Sequence, residues 1–245
     1  PIVNALHFQQ DPAPDNFRVK AIRQATTSPD GKTLVFNAAG YLWKKSLPDG
    51  KPVRLTTGKD LEYEPAFSAD GHYLAYVTWN DVEMGAIWQL DLRNTKAVPQ
   101  KLTTTKAIYR EPAYSPKDPK VLVFRKEEGN TNQGYTNTLE PGIYLMHTDR
   151  EEAPEKITEE GMFPMFNADA SRIYYQNGGY LFGDLTKTLV SVNLRGEDKR
   201  EIVTSKYAQR IVPGPDDQWV AFTNLYKVYV AALPMSGQTL DLDGQ

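Results

Sequence analysis

An all-β propeller is the fold this sequence predicts, and three observations predict it. First, a turn motif recurs five times: Ser28-Pro29-Asp30-Gly31, Ser68-Ala69-Asp70-Gly71, Ser115-Pro116-Lys117-Asp118, Asn167-Ala168-Asp169-Ala170 and Gly214-Pro215-Asp216-Asp217. The copies begin 40, 47, 52 and 47 residues apart, a period that belongs to propellers and solenoids. Second, each turn leads into a strand-like run rich in β-branched and aromatic residues, from Thr33-Leu34-Val35-Phe36 to Trp219-Val220-Ala221-Phe222. Such residues suit a pleated, half-buried surface. Third, no long segment repeats apolar residues at the spacing of a helix face, so almost no helix is predicted.

The elements of each copy follow in order. Ahead of the turn sits a short first strand, as in Glu64-Pro65-Ala66-Phe67, Glu111-Pro112-Ala113-Tyr114 and Phe163-Pro164-Met165-Phe166. The turn itself has Ser, Pro, Asp and Gly where a type I turn prefers them. The second strand comes next, then a third such as Tyr41-Leu42-Trp43, Ala86 to Leu90, Gly142 to Met146 or Lys227 to Val230. A polar turn and a fourth strand close the copy, as in Arg54-Leu55-Thr56-Thr57, Lys101-Leu102-Thr103-Thr104 and Lys156-Ile157-Thr158, with Val203-Thr204 a weaker match. One four-stranded unit cannot bury both its faces, so neighbours stack around an axis.

The 245 residues divide into a leading segment, 1–20, and a propeller, 21–245, with blades at about 21–60, 61–106, 107–160, 161–206 and 207–245. The leading segment carries one strand-like run, Val3 to Phe8, which either ends a preceding blade or closes the ring on the last one. Five blades can close alone or belong to a longer ring. The segment from Glu127 to Pro141 is an insertion, and Gly178-Gly179 reads as a hairpin turn.

Composition excludes several functions. Lys and Arg number 28 against 31 Asp and Glu, a formal charge of −3. That balance argues against nucleic acid as a partner. No apolar run approaches the roughly 20 residues of a membrane span. The absence of cysteine excludes a disulfide scaffold, thiol catalysis and thiolate-bound zinc.

The Ser-Pro-Asp-Gly turn, the following Leu-Val-Phe or Leu-Ala-Tyr strand and the closing Leu-Thr together resemble the TolB-type, WD-like propeller repeat. Three stretches are similar, more narrowly, to the propeller of exported bacterial amidohydrolase-related proteins: Ala21-Ile22-Arg23-Gln24 with Ser28 to Phe36, Tyr109 to Ser115, and Gln218 to Asn224. In that family a metal-dependent hydrolase barrel follows the propeller, and this chain stops before any such domain. The resemblance therefore implies a periplasmic or secreted module that docks a catalytic domain or another protein and gates substrate. It implies a divalent metal only for an attached amidohydrolase domain, and no cofactor in this chain. A stand-alone scaffold of the TolB translocation type is the alternative, and a hydrolase or lyase acting at the channel is a third reading.

The residues themselves point to little chemistry. His7, His72 and His147 are the only histidines, and their repeat positions do not bring them to one axis. No Gly-x-Ser-x-Gly elbow exists. The turn serines are replaced by Asn167 and Gly214 in other copies, which a nucleophile would not tolerate. The turn aspartates form a carboxylate array on paper, but Asp suits such a turn by bonding its own backbone.

The functional candidates come from aligning the first strands, which line the channel. Counting back from each turn gives Arg23 and Gln24, Tyr63 and Glu64, Arg110 and Glu111, Met162 and Phe163, Gln209 and Arg210. Arg23, Glu64, Arg110, Glu111 and Arg210 are therefore candidates for the channel or for partner binding, with Tyr135 added from the insertion. Charges at a crowded axis need partners or water. Reciprocal Arg–Glu bridges between blades are the structural expectation; a polar rim for a peptide, a small molecule or a partner's loop is the functional one.

Overall fold

The computed structural model describes residues 17–130, 135–136, 139–178, 185–234 and 236–243. Blade one is formed by β1 (Arg23–Thr27), β2 (Thr33–Ala38), β3 (Tyr41–Ser46) and β4 (Val53–Arg54). Blade two is β5 (Leu61–Phe67), β6 (Tyr73–Asn80), β7 (Met84–Asp91) and β8 (Gln100–Lys101). Blade three starts with β9 (Ile108–Tyr114) and β10 (Val121–Glu127); β11 (Gly129–Asn130) and β12 (Tyr135–Thr136) form a separate hairpin, and β13 (Gly142–His147) and β14 (Glu155–Thr158) complete the blade. Blade four is β15 (Met162–Phe166), β16 (Arg172–Gly178), β17 (Lys187–Asn193) and β18 (Arg200–Ser205). Blade five is β19 (Ile211–Pro213), β20 (Trp219–Asn224) and β21 (Lys227–Ala232), followed by β22 (Leu240–Asp241). Each blade is an antiparallel meander with its first strand innermost, and no helix occurs among the described residues.

The recurrent turn closes the same way in every blade. The carboxylate of Asp30 accepts the Lys32 N–H at 3.1 Å, and Asp70, Asp118, Asp169 and Asp216 accept from His72, Lys120, Ser171 and Gln218 at 3.0, 2.9, 2.9 and 3.1 Å. The Ser28 and Ser68 hydroxyls donate to the same aspartates, each at 2.6 Å. Gly31 and Gly71 take the left-handed φ of the turn's last position, +69° and +71°.

Period-two alternation explains the stacking. In β6, Leu74 and Tyr76 pack toward blade one with Val35 and Leu42, while Ala75 and Val77 pack toward blade three with Tyr109, Leu122 and Phe124. In β10, Val123 turns the other way and meets Ile173 and Tyr175 of blade four. In β16, Tyr174 faces blade five with Ile211 and Val220. Both faces of the middle blades are thus apolar, so their second strands read as unbroken hydrophobic runs. Each such Leu, Ile or Val gains about 1.5–3 kcal/mol on leaving water.

Two features depart from the expected blade plan. Blade five has three strands, and the would-be fourth, β22, pairs in parallel with β18 on the outside of blade four, Val203 opposite Leu240. Leu240 and Leu242 there pack against the cluster shared by blades four and five. Val228 and Val230, on the outermost strand of blade five, remain 71% and 67% exposed. The connection after Gly178 is also longer than a glycine-pair hairpin: Gly178 pairs with Lys187, so residues 179–186 link β16 to β17. The predicted leading strand, Val3 to Phe8, lies outside the described residues.

Candidate functional site: the channel rim

The inner strands β1, β5, β9, β15 and β19 surround the channel. A cavity of about 440 Å³ is lined by residues of all of them except the last, with Arg210 just ahead of β19 completing the wall. A second, of about 570 Å³, opens beside it over blades one to three; it shares Gln24, Glu64 and Arg110 and adds Arg23, Tyr63 and Trp79.

One backbone device organises this rim. Gln24, Glu64, Glu111 and Phe163 occupy equivalent positions, and all four are left-handed, with φ of 50°, 51°, 56° and 55°. Each sits at a bulge where the register of the inner strand slips, between Arg23 and Thr26, between Tyr63 and Ala66, beside Val123 and Arg125, and between Met162 and Met165. A non-glycine residue in this region costs about 1–2 kcal/mol. The bulge turns the N–H away from its own ladder and toward the preceding blade.

The preceding blade supplies the acceptor. Gln24 Oε1 accepts the Glu64 N–H at 3.0 Å, Glu64 Oε2 accepts the Glu111 N–H at 2.6 Å, and Glu111 Oε2 accepts the Phe163 N–H at 2.6 Å. The result is a hydrogen-bonded belt running blade to blade. It stops at Phe163, which has no acceptor to offer.

Arginines brace the belt's carboxylates. Arg110 donates from Nε to Glu64 Oε1 at 2.8 Å, with Nη2 of the same guanidinium 2.7 Å from that oxygen, and from Nη1 to Glu127 at 3.0 Å. Arg125 lies 3.1 Å from Glu111 and 3.3 Å from Glu127. Burial pushes the Glu111 carboxyl above its ordinary value, against the pull of Arg125 and the Phe163 N–H. Burial works against the charge of Arg110, but the hydrogen bond and charge of Glu64 outweigh it and raise its pKa.

Of the sequence candidates, Glu64, Arg110 and Glu111 come together in this network. Among the described residues only Arg110–Glu64 is an Arg–Glu bridge between blades; Arg125–Glu111 lies within blade three. Arg23 and Arg210 depart from the expected reciprocal bridging: among the described residues neither has a carboxylate partner, and the position that Glu64 offers to Arg110 is Phe163 on the blade before Arg210. The Arg210 guanidinium instead stacks 4.4 Å over the Phe163 ring. Tyr135 lies in β12 opposite Asn130, and its side chain is outside the described residues, as is His7. His72 sits in the turn at the other mouth, 3.0 Å from Asp70, and His147 ends β13. Among the described residues no group of three His, Asp or Glu could hold a metal ion.

Sequence reasoning missed Arg125 and Glu127, which lie on a second strand. Their one signal is the charged ending Arg125-Lys126-Glu127 of an otherwise apolar run.

No family model and no curated protein sequence matches the chain. Solved structures do. A protein from Agrobacterium tumefaciens assigned as a TolB superposes with a TM-score of 0.67 at 21% identity, over 89% of this chain and 78% of that one. TolB from Acinetobacter baumannii gives 0.65 at 17%, over 86% of this chain and 52% of its own. An oligogalacturonate lyase in complex with manganese gives 0.64 at 15%, over 89% and 63%. The chain therefore spans about half of the Acinetobacter protein and under two thirds of the lyase. The fold is that of the TolB-type β-propeller.

Proposed function

We propose that this chain is a docking module: a non-catalytic TolB-like propeller of an exported, periplasmic or secreted bacterial protein related to the amidohydrolases. Its channel mouth receives the catalytic domain or another protein and gates substrate. The observation that carries the reading is the rim, where a rigid belt of inter-blade hydrogen bonds presents exposed arginines beside two cavities. A preformed polar concavity with unpaired charge suits recognition. The amidohydrolase association rests on the sequence resemblance alone. A TolB-type scaffold, favoured by the likeness to two TolB structures, would use the same mouth.

The likeness to a lyase raises catalysis in the channel as a rival. The rim carboxylates Glu64, Glu111 and Glu127 are each engaged by Arg110 or Arg125, and those guanidiniums compete with any metal ion for the same oxygens.

A photo-crosslinking amino acid placed at Ala21 or Ile108, on the rim, and at Lys117, in the turn at the opposite mouth, tests the proposal in an exporting bacterium. Discrete protein adducts from the rim positions and none from Lys117 are expected. Adducts from Lys117 alone, or from none of the three, would overturn it. Metal-dependent cleavage of oligogalacturonate by the purified chain would transfer the assignment to the lyase reading.

A further inference from the structure

The belt reveals what its open stretch lacks. At three successive positions a side-chain oxygen from one blade caps the bulge N–H of the next, and in two of the three that oxygen belongs to a glutamate. The pattern has two gaps. Phe163 supplies no acceptor toward blade five, whose inner strand has no left-handed residue at this position and is tied to blade four instead by Gln176, which accepts the Ile211 N–H at 2.9 Å and donates to the Gln209 carbonyl at 3.0 Å. At the other end, Gln24 has the same left-handed φ as its counterparts, and no side chain among the described residues accepts its N–H. The arginines without carboxylates, Arg23 and Arg210, flank these gaps, and Gln24 and Arg210 line the same cavity. Elsewhere on the rim Arg110 and Arg125 are paired with Glu64, Glu111 and Glu127. Among the described residues the rim thus sets four guanidiniums, Arg23, Arg110, Arg125 and Arg210, against three carboxylates, Glu64, Glu111 and Glu127, with the excess on the open side.

We propose that this open stretch takes a carboxylate from a glutamate-bearing polypeptide segment inserted at the channel mouth. The incoming carboxylate accepts the Gln24 N–H and sits between Arg23 and Arg210, each of which lines a cavity with Gln24, as Glu64 accepts the Glu111 N–H and pairs with Arg110. A polypeptide is the favoured source because the belt's own occupants are glutamate side chains reaching across from a neighbouring blade. A peptide glutamate reproduces that reach. The inference rests on the docking reading above and adds the chemistry of the partner.

The test titrates isotopically labelled protein with the peptide Ac-Glu-Glu-Glu-Glu-NH2 and, separately, with its all-glutamine counterpart. The Gln24 amide resonance is the reporter. Saturable movement of that resonance by the glutamate peptide alone is expected, weakening as salt is raised. Arg23→Gln and Arg210→Gln should each weaken binding by about tenfold or more, the worth of a charge-assisted hydrogen bond. Both side chains are exposed, so these variants should keep the parent's near-UV circular dichroism. Lys117→Gln, at the other mouth, should bind as the parent does. Equal binding of the two peptides would overturn the carboxylate assignment while leaving docking intact. Binding of trigalacturonate at Gln24 with the glutamate peptide inert would assign the stretch to an acidic saccharide and overturn the proposal. No movement with any probe, together with no crosslinks from the rim, would overturn both this inference and the docking reading.

Discussion

Replacing Glu64 by glutamine tests whether the rim is held by charge or by shape. The two side chains are nearly isosteric. The Glu64 carboxylate accepts the Glu111 N–H at 2.6 Å and the Arg110 Nε–H at 2.8 Å, with Arg110 Nη2 at 2.7 Å. A glutamine has one acceptor oxygen and one donor nitrogen. If its oxygen stays with the Glu111 N–H, its NH2 confronts the guanidinium; if it turns, its NH2 confronts the N–H. Either way a donor meets a donor. A hydrogen bond to a charged group contributes about 1.5–3 kcal/mol. The Glu64 side chain is only 12% exposed, but Arg110 is 37% exposed and partly rehydrates once released, so the expected loss is about 2 kcal/mol. For a chain of this length that lowers the melting temperature by about 4–8 °C. Thermal unfolding followed by near-UV circular dichroism measures it, and a cycle with Arg110→Met isolates the pair. Lys32→Gln, which breaks an exposed 3.9 Å ion pair with Asp30, should melt with the parent. If Glu64→Gln also melts with the parent, the belt does not depend on its charges and the argument fails.

Three further outcomes follow from individual contacts. Glu62 is 1% exposed between blades one and two, where it accepts the Leu42 N–H at 2.8 Å and the Thr56 hydroxyl; Glu62→Ala orphans both donors and should cost about 3 kcal/mol in urea unfolding, with faster exchange of the Leu42 amide. Gly142 has φ +141°, and a Cβ there would lie 2.0 Å from the Thr158 carbonyl oxygen, so Gly142→Ala should destabilise by more than about 1 kcal/mol and loosen β13 from β14. Acid should weaken the fold: Arg93 holds Asp91 down at about 2, and Ser28, Ser171 and Arg200 hold Asp30, Asp169 and Asp198 below the usual carboxylate range. Groups depressed on folding stabilise above their unfolded pKa and lose that contribution as pH falls through their folded values. Glu111, raised by burial, has the opposite sign: its contribution is complete at low pH and is lost as pH rises through its folded value. Urea midpoints should therefore decline from about pH 4 to pH 2, and a flat profile would contradict these assignments.

The architecture was legible because each of its causes is local. Asp30 and its four counterparts cap the backbone two residues on, so the turn declares itself in a short sequence window, and counting back from it finds the rim. The alternation of Leu74 and Tyr76 with Ala75 and Val77 shows as a continuous apolar run, which is what two buried faces require. Other features depend on contacts the sequence does not pair. Arg125 joins Glu111 because β10 lies beside β9 at that register, and no repeat marks it. β22 runs beside β18, where Leu240 and Leu242 pack against the cluster shared by blades four and five, a contact between distant segments that no repeat position announces. The reciprocal bridging expected of the rim charges holds for Glu64 and Arg110. It fails for Arg23 and Arg210, because the next position around the rim is set by blade order and by the bulge, not by charge composition.

Phe163 is where the belt's logic is most exposed to experiment. Its backbone already has the left-handed conformation that Glu64 and Glu111 adopt, so Phe163→Glu asks nothing new of the chain. The new carboxylate would face Arg210, whose guanidinium now lies over the ring. The lost cation–π contact is worth about 0.5–1 kcal/mol at an exposed site, and an exposed ion pair returns a similar amount, so stability should change by less than about 1 kcal/mol. Binding of a carboxylate ligand should change far more, because the resident Glu would neutralise Arg210 and repel an incoming acid. Loss of glutamate-peptide binding with an unchanged melt is the expected pair of results. Undiminished binding in Phe163→Glu would mean that Arg210 is not part of the acceptor. The open stretch would then reduce to Arg23 and the Gln24 amide, and the gap at Phe163 would be an accident of packing.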